Sequence, residues 1–203
     1  GLSGMMQLLR SSGLEPKQER WLDAMDESLG QIVFLLRDSC NRTAPAARKW
    51  FDGLSCLEQV VSAHTPAAVQ GGLRLLLVFD PGLPAQWRSD PGLIRQLLDN
   101  LVGNAVKYSE SGDVVVSARR DRAGELILAV SDSGRGISDP DRSRIFEVRE
   151  RGTNCGNEPG SGIGLSVCRE IAERLGGEIG CAPCAGGGSK FTVRIGGIQF
   201  REG

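Results

Sequence analysis

Histidine is almost missing from this chain. His64 is the single one among 203 residues, so any histidine-based chemistry is confined to that side chain. An excess of either charge is missing too. Lys and Arg number 24 against 25 Asp and Glu, a formal net charge of -1. So even a balance leaves no electrostatic footprint for DNA, RNA or an anionic membrane. No run approaches the ~18 unbroken apolar residues of a bilayer-spanning helix. The N-terminus lacks the basic-then-apolar opening of a signal peptide. Six cysteines (Cys40, Cys56, Cys155, Cys168, Cys181 and Cys184) are scattered through a chain too large to need covalent staples. Without an export signal they read as reduced thiols in a cytosolic setting. Cys181-Ala-Pro-Cys184 is a lone C-x-x-C. Lacking a second pair it is weak evidence for zinc, and a turn between strands explains it as well. The composition, 40% hydrophobic and 24% charged, excludes disorder and collagen-like repeats.

What abounds is glycine, 28 residues, roughly twice the ~7% norm. The glycines are clustered, which points to loops where backbone approaches a ligand or takes positive φ.

The chain divides into residues 1–40, a linker at 41–48 and residues 49–203. The first part reads as helical. Gly13-Leu14-Glu15-Pro16 breaks it, and Pro16 suits a first helical turn. Beyond the break, Gln18, Leu22, Met25, Leu29, Ile32 and Leu36 recur at alternating steps of three and four, a heptad seam. An antiparallel helical hairpin follows from this pattern. A hairpin so small cannot bury its stripe alone, and pairing with a second copy into a four-helix bundle is the expected remedy. Packing of the stripe on the chain's own second domain is the competing reading. Pro45 and its polar neighbours form the linker.

The second part mixes helices and strands. Asp52 is placed to cap a helix carrying Leu54, Leu57, Val60 and Val61. Leu73 to Phe79 reads as a strand between Gly72 and Pro81. Pro91 to Ser109 reads as a helix capped by Asp90, with Leu93, Leu97, Leu98, Leu101 and Val102 on its apolar face. Asp113–Arg120 and Glu125–Ser131 alternate as a hairpin. Ile163–Leu175 is a helix stopped by Gly176-Gly177, and Ile179–Ala182 and Ser189–Ile195 are further strands. The expectation is an α+β sandwich, one sheet with helices on one face.

Three constellations carry chemistry. Asp132-Ser133-Gly134-Arg135-Gly136-Ile137 follows a strand. Its carboxylate can accept from an exocyclic amine such as adenine N6, while the glycines let the backbone pass close to a flat ring. An ordinary turn fits the same letters. Gly160-Ser161-Gly162-Ile163-Gly164-Leu165 opens a helix, where exposed N–H groups and the helix dipole favour a phosphate. A flexible loop ending in a helix cap is the plainer alternative. On the long helix, Asn100, Asn104 and Lys107 stand at i, i+4 and i+7, on one face. An amide oxygen there suits Mg²⁺, Lys107 can meet a phosphate as a point charge, and Tyr108 can lie near a base or sugar. A solvated polar face is the alternative.

In this order the three motifs resemble the N, G1 and G2 boxes of the gyrase, heat-shock chaperone, histidine kinase and mismatch-repair ATPase superfamily. Within it the chain resembles the sensor histidine kinases, of the hybrid type. Ile145-Phe146-Glu147 stands at their F box, Gly176-Gly177-Glu178-Ile179 and Gly187-Gly188-Ser189-Lys190-Phe191 resemble their closing strands, and Gly1 to Leu36 resembles their dimerisation hairpin. The resemblance implies an α+β architecture: a dimeric four-helix bundle, then a two-layer α/β sandwich of the histidine-kinase ATPase type, the Bergerat fold. It implies ATP and Mg²⁺ as cofactors. It implies a homodimer, a response-regulator receiver domain as partner, and no nucleic acid or membrane contact from this stretch. The implied location is cytoplasmic, including the cytoplasmic portion of an inner-membrane sensor.

Residue roles follow from the resemblance alone. Asn104 coordinates Mg²⁺ bridging the ATP phosphates, with Asn100 and Lys107 beside it in the catalytic set. Tyr108 and Ile137 belong to the ATP site. Asp132 binds adenine N6, and Gly134 and Gly136 line the base. Gly160, Gly162 and Gly164 hinge a lid at about 147–159, Phe146 anchors it, and Ser161, Ile163 and Leu165 join the ATP site. Where this chain departs from the family after Phe146, Arg149 or Arg151 is expected to reach the γ-phosphate from the lid instead. In the ATP-hydrolysing cousins a glutamate one turn before the magnesium asparagine activates water. Asn100 stands there and cannot take a proton at neutral pH, which favours phosphoryl transfer to a protein. Val148-Arg149 departs from the family's usual Pro-Phe. The phospho-acceptor histidine is not in this sequence, and the resemblance puts it about two helical turns before Gly1. His64 is expected to be an ordinary surface or helix-end histidine. A degenerate kinase acting as a dimerising regulator, and an ATP-hydrolysing clamp, are the other readings.

Overall fold

The computed structural model describes residues 46–147 and 164–201, together with the isolated positions Gln18 and Met25. The expectations for the hairpin, most of the linker, the lid, Arg149, Arg151, Gly160, Ser161, Gly162 and Ile163 lie outside the described residues.

Twelve elements follow one another: β1 (Lys49–Asp52), α1 (Gly53–Gln70), β2 (Leu73–Phe79), β3 (Gln86–Ser89), α2 (Pro91–Tyr108), β4 (Gly112–Arg120), β5 (Leu126–Ser131), α3 (Asp139–Arg142), α4 (Gly164–Arg174), β6 (Gly177–Pro183), β7 (Ser189–Ile195) and β8 (Gln199–Arg201). The helix starts are set by carboxylates. Asp52 accepts from the Ser55 N–H at 2.8 Å, and Asp90 accepts from the Gly92 and Leu93 N–H groups at 3.0 and 3.1 Å. Each satisfies donors that the first helical turn leaves orphaned. Pro91 at the first position of α2 gives up an N–H the helix does not use there. After α4, Gly176 at φ +80 supplies the left-handed turn into β6.

The main sheet runs β2-β4-β5-β7-β6, with β2 and β4 parallel and the other pairs antiparallel. Its inward residues, among them Val114, Val116, Leu126, Leu128, Val130, Val193 and Ile195, are buried against α1, α2 and α4. Helix α2 presents Leu97, Leu98, Leu101 and Val102 to this core, all at most 1% exposed. At ~25 cal/mol per Å² such side chains stabilise the layer pair by roughly 1.5–3 kcal/mol each. The sandwich and its major elements fall where the periodicity puts them.

A second sheet, β1-β3-β8, is an addition to the sequence reading. Its strands of three and four residues are too short for an alternation to register. Trp87 forms its centre, fully buried, with Phe51 and Phe200 edge-on at ring centroids of 6.0 and 6.4 Å. A Cβ at Gly53 would collide with the Trp87 ring, so this packing requires the glycine.

Candidate functional site

Asp132 follows the last residue of β5, at the point where the strand leaves the sheet. Its Oδ1 accepts from two backbone donors, Gly134 N–H at 2.9 Å and Ser189 N–H at 3.1 Å. Both bonds fall on one oxygen, so Oδ2 keeps its acceptor capacity. Burial raises the Asp132 pKa above the ordinary carboxylate value, and the two N–H bonds hold it back only in part. The turn that follows is pressed against protein on two sides. A Cβ at Gly134 would lie 2.5 Å from the Tyr108 carbonyl oxygen, and one at Gly136 (φ +72) would lie 3.3 Å from the Gly188 carbonyl oxygen. These glycines therefore join the turn to the end of α2 and to the β6–β7 turn, whatever else they line. Arg135 between them reaches Glu110 at 2.8 Å, a second tie to the end of α2.

Helix α2 supplies the amides. Asn100 and Asn104 are half-buried and face α4. A Cβ on Gly164, the first residue of α4, would lie 3.8 Å from Asn104 Nδ2. The third constellation is thus brought to the last glycine of the second. On the same helix α4 the buried Cys168 donates to the Leu97 carbonyl of α2 at 3.8 Å, and Asn100 offsets part of the rise that burial gives its thiol pKa. Lys107 holds its ammonium 5.5 Å from the Tyr108 ring centroid, a cation–π distance. Ile137 and Leu165 are half-buried and packed on the core. Phe146 is buried, with its ring perpendicular to Phe191 at 6.3 Å. It thereby fixes the chain just before residue 148.

Sequence reasoning missed Ser189 and Gly188 as site residues. Asp132 N–H donates to the Ser189 carbonyl at 2.9 Å while Ser189 N–H returns to the carboxylate. Gly188 (φ +84) lets the two turns touch where any Cβ would strike the Asp132 carbonyl. The run Gly186-Gly187-Gly188 was the available signal, since all three take positive φ.

The C-x-x-C carries no site. Cys181 lies in β6 and Cys184 just past it. Three steps of extended strand span about 10 Å, whereas a disulfide needs Cα atoms about 4.4–6.8 Å apart. Burial also pushes the Cys181 thiol up to about 11, out of the thiolate range. Among the described residues no group of three or more His, Cys, Asp or Glu could hold a metal ion. His64 lies within α1 and half-buried, not at the surface or a helix end as expected, and serves the seam with α2, its Nε2 3.3 Å from Asp99 Oδ1.

The donor set fits a particular kind of ion. One or two neutral amide oxygens make no cage, and Mg²⁺ is the divalent ion that keeps its waters and takes most of its remaining ligands from phosphate. A half-buried carboxylate with a free oxygen, a Mg²⁺-compatible amide and a glycine-opened helix, beside a five-stranded sheet, define an ATPase-type domain.

The chain belongs to the family of histidine kinase-, DNA gyrase B- and HSP90-like ATPases, whose model matches residues 89–196. It is similar along 96% of its length to the sensor histidine kinase AruS of Pseudomonas aeruginosa, at 34% identity over 208 residues. It is likewise similar to the aerobic respiration control sensor protein ArcB of Escherichia coli, at 32% over 204 residues and 96% of this chain. It spans 21% and 26% of those two proteins. Among solved structures, full-length ShkA in complex with AMPPNP matches with a TM-score of 0.74 and 27% identity, over 98% of this chain and 43% of that one. The Acinetobacter baumannii histidine kinase AdeS matches with a TM-score of 0.68 and 26% identity, over 96% and 92%.

Proposed function

We propose that this chain is the kinase core of a two-component sensor. It binds Mg-ATP and transfers the γ-phosphoryl group to a histidine on a dimerisation hairpin, for relay to a response-regulator aspartate. Residues 49–203 form the ATP-binding unit, 41–48 the linker and 1–40 the arm that pairs with a second copy. Met25, on the seam of that arm, is helical and 62% exposed in the single chain, as an arm awaiting a partner would leave it. No helix among the described residues is long and apolar enough to cross a membrane.

The observation that carries the reading is the acceptor pattern at Asp132. With Oδ1 taken by Gly134 and Ser189, Oδ2 is left for the N6 amine of adenine. Asn104 offers an amide oxygen to Mg²⁺, and Lys107 a cation to phosphate. Bound there, Mg²⁺ would supply neutralisation of phosphate charge. The protein's own share is positioning, because Asn100 has no proton affinity with which to draw a proton from water. Phe146 holds one end of the proposed lid and Gly164 the other. Arg149 or Arg151 is the cation the lid would bring to the γ-phosphate.

Titration calorimetry of the 203-residue chain with AMPPNP and Mg²⁺ tests this. Wild type is expected to saturate, while Asn104→Ala and Asp132→Ala lose about 10- to 100-fold in affinity, the worth of one bond to a charged group. Wild-type-like affinity in both variants would reject the reading. Binding without phosphoryl transfer to a supplied acceptor hairpin would favour the degenerate, regulatory alternative.

A further inference from the structure

Strand β2 ends the main sheet, with β4 on one side and, among the described residues, no strand on the other. An edge of this kind presents N–H and C=O groups to any further strand, and proteins usually blunt it with charge, proline or a bulge. Leu73–Phe79 has no proline, and its register with β4 runs without a bulge. Its one charged residue, Arg74, is neutralised by two bonds to Asp113 at 2.6 and 2.7 Å. Leu76, Val78 and Phe79 are 41, 54 and 37% exposed. Helix α1, which packs on β2 and on α2, continues this charge-poor flank. Ser62, Ala63, Ala67 and Val69 are exposed on it, and from Ser62 to Gln70 it carries no carboxylate, lysine or arginine.

The strand is complementary to itself in one register. Turned antiparallel on a copy of itself about Leu77, it sets Leu76 against Val78 and Arg74 against Asp80 on the open face of the sheet, and Leu75 against Phe79 on the helix face. Asp80 gives Oδ1 to the Gly82 N–H at 2.9 Å and is exposed, in no ion pair among the described residues, so its other oxygen is open to a cation. A slip of two residues puts Leu76 against Asp80 or Arg74 against Val78, and a slip of one sets the open face against the helix face. We propose that this edge joins a second copy of the chain, strand to strand about a twofold axis at Leu77, doubling the five-stranded sheet. The twofold makes each favourable pair occur twice. The contact is separate from the arm of residues 1–40 and does not depend on the nucleotide reading. Pairing of the arms as proposed would raise the concentration of one copy at the other to the millimolar range, so a modest strand contact suffices.

Hydrogen–deuterium exchange of the 203-residue chain at about 1 mM reads this edge directly. The amides of residues 73–79 that point away from β4 should exchange at least about 10-fold more slowly in wild type than in Leu76→Lys or Val78→Glu, each of which places like charges diagonally across the twofold. Neither variant should pair with itself. An equimolar mixture of the two should regain the protection, because the new lysine of one copy then faces the new glutamate of the other. Both substitutions fall on exposed positions, and exchange in β5, interior to the sheet, should be the same in every sample as the check on folding. Fast exchange across β2 in wild type overturns the proposal, and is what a dimer held by the arms alone would give. Protection that survives in either single variant assigns the edge to a different occupant and overturns it too. So does a mixture that stays unprotected at β2 while β5 keeps its protection.

Discussion

Asp132 carries opposed demands on its proton. Burial favours the neutral acid, whereas the Gly134 and Ser189 N–H groups favour the carboxylate, and burial wins. The folded pKa therefore lies above the unfolded one, and the folded state holds more of this proton between the two values. The sign for stability follows: the contribution of Asp132 falls as pH rises through that window. Nucleotide binding runs the other way. An amine donating to Oδ2 prefers the carboxylate, so affinity should decline on acidification with a midpoint above the ordinary value of about 3.9. Asp132→Asn should lack that limb and bind about 10-fold more weakly at neutral pH. Comparing AMPPNP affinity across pH in the two proteins checks this, because protonation of the nucleotide itself is common to both. The Asp132 motif could be read in the sequence because the strand, the acid and the two glycines are contiguous. Its second donor could not: Ser189 lies 57 positions away and reaches Asp132 through the sheet register.

At the scale of elements, length decided what could be read. Helix α2 announces itself by an acidic cap, a proline and a four-residue apolar repeat over 18 residues. The hairpin of β4 and β5 does so by alternation. Strands β1, β3 and β8 give no such signal, and what makes them a sheet is one side chain. Trp87 fills the space between Phe51 and Phe200 and donates its indole N–H to the Pro84 carbonyl at 2.6 Å. Trp87→Ala should cost about 3–5 kcal/mol, the usual loss for deleting a buried large aromatic. Gly53→Ala should cost about 1–3 kcal/mol by forcing the ring from its place. Both losses are to be read from chemical denaturation of the whole chain. A melt unchanged in Trp87→Ala would mean that the small sheet is not part of the cooperative unit.

At the scale of the molecule, one helix serves two layers. Leu97, Leu98, Leu101 and Val102 of α2 hold the sandwich together. Asn100 and Asn104, interleaved with them, meet α4 on the adjoining flank. This sharing anchors the floor of the site in the buried core, and an anchored floor suits a reaction run on positioning. It also limits what the floor can do. Asn100 cannot act as a base, and its neighbour Asp99 is engaged with His64 at 3.3 Å and Arg95 at 3.7 Å. With no group on this stretch of α2 left to draw a proton from water, ATP should persist in the pocket when no protein acceptor is supplied. Phosphate release by the isolated chain is expected to stay below one equivalent per protein over an hour. Steady release of many equivalents, abolished by Asn104→Ala, would show that water reaches the γ-phosphate with a base of its own. The hydrolysing clamp would then replace the kinase as the better account of the same fold.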